Sequence, residues 1–264
     1  MSQAVGSGNG VTVITGASAG IGWHLARVFA RHSHRLLLVA RRNERLQQLA
    51  GEIAQTAGMR PHCLPLDLAQ PDAPERIAAH LAGLGLEADH VVNNAGFGLI
   101  GRAIENDRDR QLEMIDLNVR ALTDLSLRFA DSLARRRGGI LNVASVAGFL
   151  PGPNMAVYYA TKAYVVSFSE ALHREMRKSG VRVTALCPGP VETEFQAVAG
   201  IRPGSPPRLL EMPADRVAEA GYRGLMAGRR LVVPGFMNKV VTFLPRLVPR
   251  AWVLEAAHAR QKGR

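Results

Sequence analysis

Short apolar runs alternate with helical patterns along almost the whole chain. The runs fall at Val11–Thr15, Arg35–Arg41, His62–Asp67, His90–Asn93, Gly139–Ala144, Val181–Cys187 and Leu231–Val233. Helical patterns lie between them, near residues 20–32, 43–57, 72–84, 107–136, 157–179 and 213–227. This alternation predicts right-handed β-α-β crossovers and a parallel sheet covered on both faces. The expected fold is α/β: a doubly wound parallel sheet of about seven strands, in a single domain over residues 11–264. Residues 1–10, rich in Ser, Gly and Asn, are expected to form a disordered tail. No internal repeat or interdomain linker interrupts the pattern.

Two segments place chemistry on this frame. The first β-branched run leads into Thr15-Gly16-Ala17-Ser18-Ala19-Gly20-Ile21-Gly22 and then a helical pattern. A glycine-rich turn from strand to helix lets backbone approach a pyrophosphate, whose charge is met by amides at the helix N-terminus. Glycines at 16, 20 and 22 depart from the Gly-x-Gly-x-x-Gly spacing and fit Thr-Gly-x-x-x-Gly-x-Gly instead. The second segment is Tyr158-Tyr159-Ala160-Thr161-Lys162. Residues four apart share a helical face, so an ammonium sits beside a phenol and favours its ionised form. Thirteen residues upstream, Ser145 follows an apolar run and can face that phenol. A carbonyl oxygen held between the two hydroxyls could be protonated while a hydride arrives at carbon. Tyr159 is also three residues from Lys162, but the spacing and the distance from Ser145 select Tyr158.

These motifs, with Asn93-Asn94-Ala95-Gly96, Asn118 and Pro188-Gly189, resemble the short-chain dehydrogenase/reductase family in order and spacing. The resemblance covers roughly residues 10–235, and the catalytic positions show no departure from the family pattern. It implies a Rossmann-type fold and an oxidoreductase in which Asn118, Ser145, Tyr158 and Lys162 are catalytic. Tyr158 would be the general acid or base, and Lys162 would also hydrogen-bond the nicotinamide ribose. Asn118 would distort its helix and hold a water on the proton path. Asn94, Ala95 and Gly96 would wall the cofactor cleft, and Asp67 and Leu68 would contact the adenine. The alternative for Asp67 is a helix cap. Pro188 and Gly189 close a strand, after which Val191 and Thr193 would hold the nicotinamide carboxamide. Gly16, Ser18, Ala19, Gly20, Ile21 and Gly22 complete the cofactor set. A homodimer or homotetramer is implied, with helices 107–136 and 157–179 as contact surfaces.

The end of the second run bears on which nicotinamide is used. An NAD enzyme of this architecture wants a carboxylate there for the adenosine ribose. Arg41-Arg42 stands in its place, and the nearest acid, Glu44, already lies in the next helix. Guanidinium forks match phosphate geometry, so NADP(H) is expected in preference to NAD(H), with Ser18 adding a hydroxyl. Arg42 is equally readable as a solvated charge at the start of a surface helix.

Composition narrows the rest. The chain carries 33 Lys/Arg against 22 Asp/Glu, a net charge of +11. The arginines are scattered and no recognition-helix or zinc-knuckle pattern accompanies them, so no nucleic-acid partner is expected; no metal site is expected either. Two cysteines, no signal peptide and no long uncharged apolar run predict a cytoplasmic protein without a transmembrane segment. Phe97, Leu99, Phe149, Leu150, Pro151 and Met155 suggest a small hydrophobic carbonyl or alcohol as substrate. The proline-rich region 195–228 reads as a substrate lid. The extension 236–264 reads as a lid, a subunit contact or a basic apolar patch for peripheral membrane contact. A different class of function stays open, a non-catalytic dinucleotide-binding sensor, although such a module needs no proton donor.

Overall fold

The computed structural model describes residues 8–200 and 208–261 of the 264-residue chain. Seven parallel strands form one sheet in the order β3-β2-β1-β4-β5-β6-β7. They are β1 Gly10–Thr15, β2 Leu36–Ala40, β3 His62–Pro65, β4 Glu87–Asn93, β5 Gly139–Val143, β6 Arg182–Leu186 and β7 Leu231–Val232. Each predicted strand is present, with ends shifted by a few residues. Gly10, expected in the tail, is already the first residue of β1; residues 1–7 lie outside the described residues.

The central strands carry apolar side chains on both faces, and alternate residues supply opposite cores. Ile14, Leu36, Leu38 and Leu186 pack under Leu25 and Phe29 of α1 (Gly20–Arg31), Leu46 and Leu49 of α2 (Asn43–Ala57), and Val217 and Leu225 of α9 (Ala214–Met226). Val13, Leu37, Val39 and Val183 pack on the other side. They meet Ile77 of α3 (Ala73–Gly83), Leu125 of α5 (Leu122–Arg128), Leu133 of α6 (Ala130–Arg136) and Leu172 of α7 (Ala156–Met176). Full burial of one such Leu or Phe is worth roughly 1.5–3 kcal/mol, so both faces of the sheet are strongly specified.

The helix expected over 107–136 is broken. Asp107 caps α4 (Arg108–Ile115) by accepting from the Arg110 amide, a π-helical turn spans Asp116–Ala121, and α5 and α6 follow with a break at Phe129. The wide turn is centred on Asn118, whose side chain bonds other parts of the protein. Asparagine competes with helix hydrogen bonding in this way, and single π turns favour functional sites.

Past β6, α8 (Glu194–Ala199) covers the carboxyl edge of the sheet. The lid region predicted over 195–228 therefore holds most of α8 and all of α9, with 201–207 outside the described residues. Pro245 and Pro249 interrupt the extension as their lost donors require: α10 (Phe236–Phe243) ends before a 3-10 turn, and α11 (Arg250–Gln261) restarts.

Candidate active site

Chain order reverses between β1 and β4, since β2 and β3 extend the sheet one way and β4 to β7 the other. A groove of about 480 Å³ opens there at the carboxyl ends of the strands, where open α/β sheets bind ligands. It is lined by Gly16, Ser18, Ala19, Gly20, Ile21, Arg41, Arg42, Asp67, Leu68, Asn94, Ala95 and Gly96 on one side of the switch. Ser145, Tyr158, Lys162, Pro188, Gly189, Val191 and Thr193 line the other. Gly22 and Asn118 are not part of the lining; both act from behind it.

The glycine turn is built for close approach. Gly16 has φ +64°, a left-handed conformation that disfavours other residues, and a Cβ at Gly22 would collide with the Gly16 carbonyl. Asn94 pins this turn to β4, donating to the carbonyls of Thr15 at 2.9 Å and Gly16 at 3.2 Å. The Thr15 hydroxyl accepts from the amides of Asn94 and Ala95. At the N-terminus of α1, Ala19 supplies no side-chain cap and the first turn holds no acid. Its orphan amides and positive helix end therefore suit an anion.

At the end of β2, Arg42 donates to the Ser18 hydroxyl at 3.3 Å and pairs with Glu194 at 2.8 Å. Arg41 is exposed and has no ion pair among the described residues. Asp67 accepts from the Ala69 amide at 3.1 Å, capping its own turn while still facing the groove.

Beneath the groove lies a buried polar cluster. The Ser145 hydroxyl accepts from the Ala147 amide at 3.1 Å, and Ser145 and Tyr158 line the same groove. Tyr158 and Lys162 both lie on the inner face of α7. Lys162 Nζ donates to the Val143 carbonyl at 2.8 Å and stands 5.9 Å from the centre of the Tyr158 ring. Asn118 bonds the Phe97 backbone in both directions and donates to Thr161 Oγ1 at 3.1 Å, and Thr161 in turn donates to the Tyr158 carbonyl. A Cβ on Gly96 would lie 2.7 Å from Asn118 Oδ1 and 3.6 Å from Lys162 Nζ, so glycine lets that loop close on both.

Electrostatics modify the expectation drawn from the Tyr-Lys spacing. Burial pushes the Tyr158 phenol above its ordinary pKa, and the Ser145 hydroxyl only partly offsets this. Burial also pushes the Lys162 ammonium down to about 8. Among the protein's own groups, desolvation thus outweighs attraction between phenolate and ammonium, and Tyr158 is a fully protonated phenol at neutral pH.

Some positions do not follow the sequence reading. Phe149 packs on the cluster of Leu122 and Val165, and neither Leu150, Pro151 nor Leu99 lines the groove. Phe97 and Met155 do. Glu194 carries no expectation from the sequence, and Phe195 enters there only as the first residue of the lid region. Phe195 tilts onto the Tyr158 ring with centroids 5.5 Å apart, and Glu194 reaches Arg42 from α8. Neither carries a local signal, because each owes its place to how α8 folds back over the groove.

The sheet order and the groove at its switch point define a dinucleotide-binding α/β fold. A family model described as short chain dehydrogenase matches residues 10–202. The chain belongs to the short-chain dehydrogenase family and is an oxidoreductase of that family. It is 34% identical over 251 residues to the very-long-chain 3-oxoacyl-CoA reductase of Anas platyrhynchos, covering 92% of this chain and 78% of that protein. Among solved structures, the Sphingobium yanoikuyae short-chain dehydrogenase in complex with NADPH superposes with a TM-score of 0.79. It is 31% identical, with coverage of 91% of this chain and 97% of that one. The 3-ketoacyl-(acyl-carrier-protein) reductase of Brucella melitensis complexed with NADH gives a TM-score of 0.75 at 27% identity, covering 85% and 96%. Neighbours of this fold therefore bind either nicotinamide.

Proposed function

We propose that this protein is an NADP(H)-dependent reductase or dehydrogenase that interconverts a hydrophobic carbonyl compound and its alcohol, with Tyr158 as general acid and base. The observation that carries the reading is the Ser145–Tyr158 hydroxyl pair opening into the groove, with Lys162 and Asn118 buried behind it.

The residues present fit a dinucleotide. The uncapped start of α1 and the turn from Gly16 to Gly22 suit a pyrophosphate, and Asp67, Leu68, Asn94, Ala95 and Gly96 flank the adenosine side. Pro188, Gly189, Val191 and Thr193 wall the nicotinamide end. Ser18, Arg41 and Arg42 gather donors at the end of β2, which itself ends in no carboxylate although Glu194 of α8 reaches Arg42, and this favours a 2′-phosphate over a free ribose hydroxyl. When bound, the nicotinamide supplies or accepts the hydride.

The chain's own groups handle the proton. Ser145 donates a hydrogen bond to the substrate oxygen and steadies its developing charge. Tyr158, protonated at neutral pH, gives its proton to that oxygen in reduction and takes it back in oxidation. Lys162 steadies the phenolate left behind. Asn118 holds the backbone of Phe97 and the Thr161 hydroxyl, fixing the floor under Tyr158 and Lys162 where a proton path begins.

Phe97, Met155, Tyr159, Phe195 and Val198 surround the space beside Tyr158, which favours an apolar substrate; the long acyl chain named for the Anas relative supports the same class. Exposed Leu112, Ile115, Leu127 and Tyr164 on α4, the π turn's approach, α5 and α7 support assembly into a homodimer or homotetramer. Cys63 and Cys187 are free, and four strands of the sheet lie between theirs, in keeping with a reducing cytoplasm.

A screen of ketones, aldehydes, steroids and acyl-chain carbonyls, following the absorbance of the reduced nicotinamide, tests the proposal. Turnover of apolar carbonyls with NADPH is expected. Binding of NADPH without turnover of any of them would favour the sensor.

A further inference from the structure

The helix α10 is inside-out. Its polar side chains Asn238 and Thr242 are 1% and 7% exposed, while Phe236 and Phe243 are 78% and 59% exposed. The inward face is fixed by specific bonds. Asn238 donates to the carbonyls of Leu210 at 3.2 Å and Pro234 at 2.8 Å, and a Cβ on Gly189 would run into its amide. Thr242, also on that face, satisfies its hydroxyl within the helix, donating to the Lys239 carbonyl at 2.9 Å. Phe236 and Phe243 are thus left outward, while Met237, Val240 and Val241 are half-buried. Exposed apolar side chains continue past the 3-10 turn, where Leu247 and Trp252 are 67% and 70% exposed.

Large apolar side chains exposed together along one segment mark an interaction surface. Charge identifies the partner. From Leu231 to Arg264 the sequence holds six Lys or Arg and one acid, Glu255. Lys239 is exposed within α10, between the two outward phenylalanines. A two-fold contact would bring this patch onto a copy of itself and set like charges against each other, whereas protein interface cores are depleted of lysine. Nucleic acid would pair the cations but leave Phe243, Leu247 and Trp252 in water. An anionic bilayer satisfies both halves, apolar side chains entering the headgroup–acyl boundary while basic ones meet the lipid phosphates.

We propose that α10, the following turn and α11 form a docking surface for anionic phospholipid membranes. Binding lies in the interface plane, since among the described residues no helix is long and apolar enough to cross a membrane. Because Asn238 packs on Gly189, which lines the groove, docking places lipid beside the catalytic edge of the sheet. The inference rests on the helix geometry and the local charge and does not depend on the substrate reading.

The chain has two tryptophans, so a Trp23→Phe variant reports from Trp252 alone. The full-length protein should co-sediment with vesicles of phosphatidylcholine mixed with phosphatidylglycerol, and Trp252 emission should shift to the blue. Vesicles of phosphatidylcholine alone should bind far less, and added salt should release the protein. The Phe243→Glu/Trp252→Glu variant should lose sedimentation at an unchanged melting temperature. Lys239→Glu, which removes one favourable charge and adds an unfavourable one, should weaken binding to the anionic vesicles roughly tenfold. Failure to sediment with anionic vesicles would overturn the proposal. So would equal binding to both vesicles, or a Phe243→Glu/Trp252→Glu variant whose only change is a smaller oligomer by light scattering.

Discussion

Arg42 and Glu194 lie 152 positions apart and meet at 2.8 Å, joining the start of α2 to the first residue of α8 at the groove. The same guanidinium rests on the Ser18 hydroxyl. A phosphate bound there competes with the Glu194 carboxylate for Arg42. Both side chains are about half exposed, so the pair itself is weak, roughly 0–1 kcal/mol. Glu194→Gln should therefore lower the Michaelis constant for NADPH by a few fold and leave that for NADH unchanged. Equal changes with both cofactors would show that Glu194 acts on something other than the 2′-phosphate.

Arg41, which faces the groove without an ion pair among the described residues, gives the complementary test. Losing one charged hydrogen bond costs roughly 1.5–3 kcal/mol, about tenfold to a hundredfold in affinity. Arg41→Ala should raise the Michaelis constant for NADPH by about that factor and reduce preference over NADH, measured as the ratio of kcat/KM values. An unchanged ratio would remove Arg41 from the phosphate site.

Most of the frame was legible because its signals are local. β-branched and leucine-rich runs mark strands, and the glycine turn, Ser145 and Tyr158-x-x-x-Lys162 are each set by neighbours in sequence. What escaped depends on partners far along the chain. The helix distortion expected at Asn118 is present, but its form as a π turn goes with bonds from Asn118 to Phe97 and Thr161. Phe149 turns away from the groove because the cluster of Leu122 and Val165 receives it. The Tyr-Lys spacing showed the right neighbours but not the strength of desolvation around them. In α10 the pattern of apolar residues was plain, but which face turned inward was set by Asn238.

Burial holds the Lys162 ammonium down to about 8. As pH rises through that value the ammonium loses its proton, and with it the attraction that steadies the Tyr158 phenolate. The kcat/KM for carbonyl reduction should fall above about pH 8, with an apparent pKa near that value. A profile flat to well above pH 9 would contradict the assignment.

A second buried group links acidity to stability at the opposite edge of the sheet. His34 bonds Thr12 Oγ1 at 3.1 Å and Tyr222 OH at 3.4 Å, with Asp89 and His90 beside it. Burial first, then the neighbouring His90, hold its pKa below the ordinary histidine value, against the pull of Asp89. The folded protein therefore refuses a proton that the unfolded chain accepts below about pH 6.5. Stability should fall as pH drops from about 6.5, by on the order of 1–3 kcal/mol, and His34→Gln should flatten that limb. Denaturant midpoints from pH 7.5 to 4.5 would measure it; identical slopes in both proteins would refute the link.

The central claim is that Tyr158 carries the proton. Single-turnover and steady-state rates for Tyr158→Phe and Tyr159→Phe, with NADPH affinity measured by fluorescence, test it most directly. Tyr158→Phe should nearly abolish turnover, because phenylalanine keeps the ring against Phe195 and removes only the hydroxyl that shares the groove with Ser145, and NADPH affinity should stay within a few fold. Tyr159→Phe should retain most activity. An active Tyr158→Phe enzyme beside an inactive Tyr159→Phe enzyme would contradict the account.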